Sequence, residues 1–527
     1  SLILALQVLE VQKNAILCLN LMDEAAKKGI EIDVAALERE LGIPVIPCAA
    51  RQGKGLHELE AAIRRAAAGE NETHPTAIRY PAMDEDLTEE QRDDIATAAA
   101  ALRAEEIALT CVRQPECACA RDDRADDVIL SRRFGVPLML LLLAGVFYIT
   151  LFGANVPSEW LSTHLLALCT PFAGALAKLG LPPFFVSMLT DGLWRVLATV
   201  VSVMLPPMAI FFPLFTLLED AGYLPRVAFQ LDHAFQCARA SGKQSLTMCM
   251  GFGCNACGVS GCRIIDSPRE RLIAVLTNSL MPCNGRFSTL ISLIAMFVVV
   301  GQGSGSSLLR ALVLTGLIVL SVLATFLSSW LLSKTALKGK TSSFALELPP
   351  YRRPQIGKVI VRSVLDRTLF VLGRAAAVAA PAGLVIWLLA NCSAGGQTLL
   401  ELICSALDPF AQLFGIDGVI LTALILSFPA NEIFLPLILM GYLQSAALTE
   451  VSLTELHSLL LSQGWTVWTA LAVMVLCLFH WPCSTTLLTI RKETGSLRWC
   501  ALSALLPTAI GFSLCALLQL IRLLAAG

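Results

Sequence analysis

The chain has 527 residues, 56% hydrophobic and 15% charged, with a net charge of −2. Soluble domains average about 25% charged residues, so a purely soluble, disordered or fibrous protein is excluded. Residues 1–133 hold 16 Lys/Arg against 25 Asp/Glu, while the remainder is net positive. This asymmetry implies a polar, acidic N-terminal region followed by a membrane body. With no strongly basic soluble region, no nucleic-acid partner is expected.

The chain opens Ser1-Leu2-Ile3 in an amphipathic run. No charged n-region or cleavage site precedes it, so it reads as the middle of a domain and not as a signal peptide. Ile16–Asp23 reads as a buried strand ending in Asn20-x-x-Asp23, and Pro44–Pro47 as a second strand. The loop Cys48-Ala49-Ala50-Arg51-Gln52-Gly53-Lys54-Gly55 and a helix over Leu56–Ala68 follow. Such alternation belongs to a doubly wound α/β domain, with ligand groups at the strand C-termini. An Asp there can accept from guanine N1–H and N2–H₂, while an Asn and a loop N–H serve O6 and N7. Residues 69–130 are acidic and Ala-rich, with a helix predicted from about Thr88 to Val112, and read as a spacer. Cys117-x-Cys119 is incidental there. The 18 cysteines are scattered over both parts, which speaks for free thiols and against a compact disulfide framework. No phosphate-binding loop occurs within these residues. Gly339-Lys340-Thr341 lacks the earlier Gly (Lys334 stands there) and lies in a basic loop, so the chain as given is not expected to hold nucleotide phosphates or hydrolyse GTP.

A bilayer crossing needs about 20 apolar residues. Charge-free stretches lie near 135–156, 196–218, 287–309, 311–333, 375–400, 456–490 and 499–521, and 418–443 is interrupted only by Glu432. Gly303–Ser307 reads as a turn, so the third and fourth spans become 272–300 and 307–333; seven or eight crossings are predicted. The loop 334–367 carries eight Lys/Arg and should be cytoplasmic, as should the N-terminal part ending in Arg132-Arg133. Four spans then fit between them only if 245–262 re-enters from the cytoplasm. The second half mirrors this: 400–443 starts and finishes outside. Two halves with broken elements entered from opposite faces are the pattern of inverted-repeat transporters.

Met250–Cys262 is dense in Gly and Cys, which unwinds a membrane helix and is tolerated only where backbone lines a cavity. Asn255 offers an amide oxygen; Cys254, Cys257 and Cys262 offer sulfur. Pro282-Cys283 and Pro482-Cys483 each free a carbonyl one turn earlier and set a thiol beside it. Ser427–Glu432 adds an amide and an acid. Such donors suit borderline-soft divalent metals such as Fe²⁺, Zn²⁺ or Mn²⁺. The remaining membrane thiols, such as Cys169, Cys392, Cys404, Cys477, Cys500 and Cys515, read as buried packing residues. Cys254-x-x-Cys257 alone would suggest zinc or a cluster, which fits a Gly-rich re-entrant segment poorly. Glu432 and Arg286 read as pathway charges or as an ion pair locking the halves. His480 is a ligand or a packing residue, and Glu219-Asp220 an edge cap.

Together these motifs resemble the ferrous iron transport protein B family, over nearly the whole chain. Asn20-Leu21-Met22-Asp23 and Cys48-Ala49-Ala50 look like its fourth and fifth guanine-nucleotide motifs, and Gly251–Asn255 like the opening of its first gate. Cys283–Arg286, Pro482–Thr486, Arg491–Ser496, Leu218–Tyr223 and Glu347–Arg352 also match. The departures are Ala256-Cys257 in place of Val-Pro, Asn431 where many members carry Lys, and Cys48 in place of Ser.

The resemblance implies an α-helical polytopic membrane protein with two inverted gate repeats, preceded by the C-terminal part of an α/β G domain and a helical spacer. The expected division is 1–68 (G-domain part), 69–130 (spacer), 131–333 (first gate repeat), 334–367 (basic loop) and 368–527 (second gate repeat). It implies GTP-regulated import of ferrous iron across a prokaryotic inner membrane, the N-terminal part cytoplasmic. Asn20, Asp23, Cys48, Ala49 and Ala50 would bind nucleotide, with Mg²⁺ held by residues upstream of Ser1, where the other guanine-nucleotide motifs are expected. Cys254, Asn255, Cys283, Cys483 and Glu432 would meet Fe²⁺. Small cytoplasmic accessory proteins and a homo-oligomer are further expected partners. The rival expectations are a nucleoside-type gate-repeat carrier and a guanine-nucleotide-sensing membrane regulator without flux.

Overall fold

The computed structural model describes residues 2–12, 14–69, 89–113, 120–131, 133–298, 304–338, 351, 355–445 and 453–526. Gly339-Lys340-Thr341, Glu347–Pro350 and the Cys117/Cys119 pair lie outside the described residues. The chain divides into two compact units, Ser1–Asp127 and Val128–Gly527.

In the first unit, strands Leu17–Leu19 and Val45–Pro47 pair in parallel, Leu17 opposite Val45. A parallel pair needs a crossover, and helix Val34–Leu41 supplies it. Asp33 caps that helix by accepting from Ala36 N–H at 2.9 Å, and Gly42 ends it in the left-handed conformation. Helix Leu56–Ala67 follows the second strand. The long helix Glu89–Cys111 buries Ala100, Ala104, Ile107 and Cys111 against Leu6, Leu9, Leu37, Leu41, Ile43 and Val45. Strand Val112–Arg113 then pairs with Glu31–Ile32. The helix expected to be a spacer therefore shares one apolar core with the α/β fragment. Arg103 reinforces that join with an ion pair to Glu40 (2.7 Å) and is itself held by Glu106 on its own helix (2.6 Å), whose hydrogen bond raises its pKa.

The second unit is helical and repeats itself. Helix Pro183–Asp220 contains a π-helical turn at Met188–Trp194, and helix Ile356–Asn391 contains one at Ser363–Leu369. A short helix follows each, Tyr223–Cys237 and Leu399–Gln412. Next comes a hairpin of two half-helices, Gln244–Gly253 with Asn255–Gly261, and Gly418–Leu426 with Asn431–Leu443. Each repeat then has a span broken near its middle and closes on a long helix. In the first repeat these are Pro268–Thr277 with Asn284–Leu293, then Ser304–Lys334. In the second they are Val467–Leu478 with Ser484–Thr494, then Leu497–Ala526.

The chain reverses at Cys254 (φ −155°, ψ 124°) and at Ala430 (φ −154°, ψ 123°), the same extended conformation at equivalent places. Gly261 packs beside Thr247 and Met250, and Gly441 beside Val419, so both elements turn back on themselves. The first spans of the repeats run antiparallel. Gly192, early in one, meets Gly383 and Trp387, late in the other, while Ser363 Oγ bonds Thr216 Oγ1 at 3.2 Å. Antiparallel equivalent spans are what an inverted repeat requires.

Six helices among the described residues are long and apolar enough to cross a bilayer, or seven if the bent pair Thr454–Ser462 and Val467–Leu478 counts as one. The predicted span 456–490 is instead three pieces, because Gly464 (φ 81°) turns the chain and Pro482 breaks it again. Ser304–Ser307, expected in a turn, forms the first turn of the helix Ser304–Lys334, where serine is well tolerated. The first span continues to Lys178. Leu141, Phe152, Leu327 and Leu505 are exposed on outer helices, an arrangement suited to lipid, whereas Cys254 and Ala430 at the breaks are buried. Hydrocarbon cannot satisfy free backbone groups, so the broken elements must lie inside.

Candidate functional site

In the first unit the two predicted guanine-reading segments meet. Cys48 N–H donates to Leu19 O at 2.8 Å, and Met22 N–H to Cys48 O at 3.2 Å. Asn20 Oδ1 accepts from Leu21 N–H (2.9 Å) and Ala50 N–H (3.1 Å), fixing the loop to the end of the strand. Gln52 Nε2 donates to Asp23 Oδ2 at 2.8 Å. Cys48 is buried, its thiol 3.4 Å from Gly55 O, and burial raises its pKa. Gly55 (φ 75°) is required, since a Cβ there would strike Pro47 O. Asn20, Asp23, Cys48, Ala49 and Ala50 thus come together as one ledge at the strand ends.

In the second unit one enclosed cavity of about 30 Å³ gathers all five residues assigned to metal: Cys254, Asn255, Cys283, Glu432 and Cys483. Each thiol sits at the N-cap of a half-helix, namely Asn255–Gly261, Asn284–Leu293 and Ser484–Thr494. Cys283 (ψ 171°) and Cys483 (ψ 158°), each directly after a proline, hold the extended conformation an N-cap needs. Helix N-termini carry partial positive charge, so anionic sulfur and carboxylate are favoured at this point. The Glu432 side chain lies over Gly285, where an added Cβ would run into it. The added thiol Cys257 contacts Cys254 from one turn along. Among the described residues no three His, Cys, Asp or Glu side chains converge closely enough to hold a metal. The three thiols wall the cavity without closing into a cluster.

Arg286 does not pair with Glu432. Its guanidinium donates to four carbonyl oxygens: Ser279 (3.1 Å), Leu478 (3.0 Å), His480 (3.2 Å) and Trp481 (3.3 Å). Those carbonyls lost helical donors at the two breaks, and a five-donor fork satisfies them better than one carboxylate would. His480 is likewise no cavity wall; its ring bonds Leu476 O, Cys477 O and Asn431. Asn431, read from the sequence as the amide of the second break, and Thr485, which sequence reasoning missed as a site residue, both stand in the cavity wall. Pro482-Cys483-Ser484-Thr485 pointed to the break, but an isolated Thr in an apolar run gives no such signal.

A second cavity of about 430 Å³ lies beside the second hairpin, lined among others by Glu401, Asp408, Asp417, Tyr442 and Gln463. Its carboxylates already have protein partners. Asp408 accepts from Gly418 N–H (2.8 Å) and Gln412, Asp417 from Ile420 N–H (2.7 Å) and Tyr442, and Glu401 from Thr398 N–H (2.8 Å).

The other family motifs are structural joints. Arg263 forms a bidentate pair with Glu493 (2.8 and 2.8 Å), tying the end of the first hairpin to the end of the second broken span; that contact raises the Arg263 pKa. Gly495 (φ 65°) ends the latter helix, its N–H bonding Arg491 O at 2.8 Å. Gly222 (φ 83°) turns the chain after Glu219-Asp220, and Arg226 stacks over the Tyr351 ring at 3.7 Å.

Residues 1–63 match the family model described as "Ferrous iron transport protein B", and residues 314–366 the one for its C terminus. Residues 201–297 and 372–497, one stretch in each repeat, match the model described as "Nucleoside recognition". A Synechocystis protein named Fe(2+) transporter FeoB is 30% identical over 521 residues, covering 96% of this chain and 78% of that one. The chain belongs to the ferrous iron transport protein B family. A Staphylococcus aureus (strain COL) protein of the same name is 26% identical, covering 97% of this chain and 84% of its own length. One from Salmonella choleraesuis is 27% identical over 416 residues, 69% of this chain and 52% of that one. No solved structure matches the chain. Membership agrees with the helical membrane architecture, the two inverted gate repeats and the α/β fragment before them.

Proposed function

We propose that this chain carries ferrous iron through a membrane, with guanine nucleotide bound by the N-terminal unit regulating passage. The observation that carries the reading is the cavity of about 30 Å³ walled by Cys254, Cys283 and Cys483, with Asn255 and Glu432. That volume takes one or two water molecules or one ion. Small-molecule ligands occupy about 300–1,000 Å³, so a nucleoside carrier fits it poorly. Mixed sulfur and oxygen donors suit Fe²⁺ better than Mg²⁺ or Ca²⁺.

The N-terminal ledge supplies guanine recognition through Asp23, Asn20 and the Ala49–Ala50 loop. GTP with Mg²⁺ would draw its phosphate and metal contacts from residues outside this sequence. The excess of Lys and Arg over 334–367 and 491–498 supports a cytoplasmic position for those stretches and for the N-terminal unit, and a bacterial inner membrane is the setting this reading takes. Accessory cytoplasmic proteins and self-association belong to the same proposal.

The test is anaerobic Fe²⁺ influx into proteoliposomes, with and without GTP, for the full-length protein and a Cys254/Cys283/Cys483→Ser variant. Influx lost in the variant supports a thiol-lined path. Wild-type influx in the variant moves the site to Asn255 and Glu432. Absence of influx with intact guanine-nucleotide binding supports the sensing regulator instead.

A further inference from the structure

The two hairpin breaks place an asparagine at equivalent points, Asn255 and Asn431, and both line the central cavity. The NH₂ of Asn255 is engaged by the protein, donating to Gly251 O (3.0 Å) and Met281 O (3.2 Å). At Asn431 the amide is drawn with Oδ1 3.2 Å from His480 Nε2 and with Nδ2 donating toward Cys283 Sγ at 3.9 Å. The His480 ring decides which amide atom faces which. Its Nδ1 faces the carbonyl oxygens of Leu476 (3.0 Å) and Cys477 (3.1 Å), which can only accept, so Nδ1 carries the ring proton. Nε2 of the neutral ring then offers only a lone pair. The buried ring sits beside the Arg286 guanidinium, which holds its carbonyl at 3.2 Å, and so stays uncharged; its lone pair then requires the amide turned over from the drawn orientation, NH₂ on Nε2 and oxygen toward Cys283 and the cavity.

A second observation points the same way. Thr485 is 3% exposed, lines the same cavity, and its Oγ1 has no hydrogen-bond partner. A buried hydroxyl without a partner is costly, and a cation or its water would satisfy it.

We infer that Asn431 is an oxygen ligand for the transported divalent cation, joined by the Thr485 hydroxyl, and that His480 is the positioning residue that presents it. The identity of the cation rests on the iron reading above. An amide oxygen and a hydroxyl set against thiols make a mixed site, in which the oxygen donors contribute more to holding Fe²⁺ than to holding a thiophilic ion such as Cd²⁺.

The test titrates the full-length protein in detergent, anaerobically, with Fe²⁺ and separately with Cd²⁺ against a chromogenic chelator. Asn431→Leu is expected to weaken Fe²⁺ at least about tenfold and Cd²⁺ less than about twofold. His480→Leu reproduces that loss, and His480→Gln restores Fe²⁺ because its amide oxygen accepts from the Asn431 NH₂. Equal weakening of both ions, or unchanged Fe²⁺ affinity, in Asn431→Leu overturns the inference. Should that variant not fold, Asn431→Asp decides: it keeps an oxygen and retains Fe²⁺, and its loss of Fe²⁺ overturns the inference. A wild type that binds Fe²⁺ in detergent but passes none into proteoliposomes defeats the transport reading and leaves the ligand role to the titration. A wild type that binds neither ion defeats both.

Discussion

Arg286, at the start of the second half of the first broken span, donates to the carbonyl of His480 in the break of the second, at 3.2 Å. The same fork holds Ser279 O on its own side and Leu478 O across from it. One buried side chain therefore satisfies backbone released at both breaks and fastens the two inverted repeats beside the cavity.

Replacing it should separate them. Arg286→Ala leaves several buried carbonyls without donors, each worth about 1–3 kcal/mol. A loss of about 3 kcal/mol or more is expected, read as a lower unfolding midpoint in detergent. Arg286→Lys, with three donors on one nitrogen, should recover part of it.

Gly285 tests the cavity without replacing a ligand side chain. An added methyl runs into the Glu432 carboxylate, the far end of a flexible side chain, and meets no other neighbour that close. Gly285→Ala should therefore leave the unfolding midpoint within about 1 kcal/mol of wild type. Fe²⁺ affinity should fall about tenfold as Glu432 is pushed aside. Isothermal titration under anaerobic conditions reads both the affinity and the intact fold.

The inverted repeat makes a paired prediction. Asp232 accepts from Gly242 N–H and from Gln236 Nε2, and Asp408 accepts from Gly418 N–H and Gln412 Nε2, both N–H bonds at 2.8 Å. Each carboxylate fixes the entry of its hairpin. Asp232→Ala and Asp408→Ala should cost similar amounts, about 1.5–3 kcal/mol for a hydrogen bond to a charged group. Denaturation of the two variants side by side checks the equality. A large cost in one alone would break the equivalence of the repeats.

In the N-terminal unit, burial raises the Cys48 thiol above its ordinary value of 9.0. A folded state that holds its proton longer than the unfolded chain is favoured below the unfolded pKa, and the advantage is lost as pH rises through the folded one. Cys48 should thus resist iodoacetamide at pH 7–8, and the unit should loosen above about pH 9. Alkylation rates by peptide mass spectrometry across that range give the answer. Cys48→Ser keeps a donor for Gly55 O and should remove the alkaline step.

Much of the candidate site was legible in the residue order. Proline or glycine beside cysteine marks a helix break with a thiol at its lip, because the missing donor or side chain acts within one turn. That local rule located Cys254, Cys283 and Cys483, and the basic loops argued for mirror-related halves. Asn20-x-x-Asp23 followed by a second strand marked the N-terminal ledge for the same reason: strand ends and loops are short-range features.

Other features needed the folded chain. Whether Arg286 met Glu432 or the carbonyls at 478–481 depended on which breaks came together, and those lie almost two hundred residues apart. Asn431 was marked only as an amide at the second break, and Thr485 carried no signal as a ligand; only the His480 ring, packed against one, and an ion-sized cavity, bounded by both, distinguish them from ordinary buried polar residues. Sequence by itself determined where helices break and which donors stand at each break, since both follow from local backbone chemistry. Tertiary structure decided which donors share one cavity and which way an amide faces, because those depend on packing between distant elements.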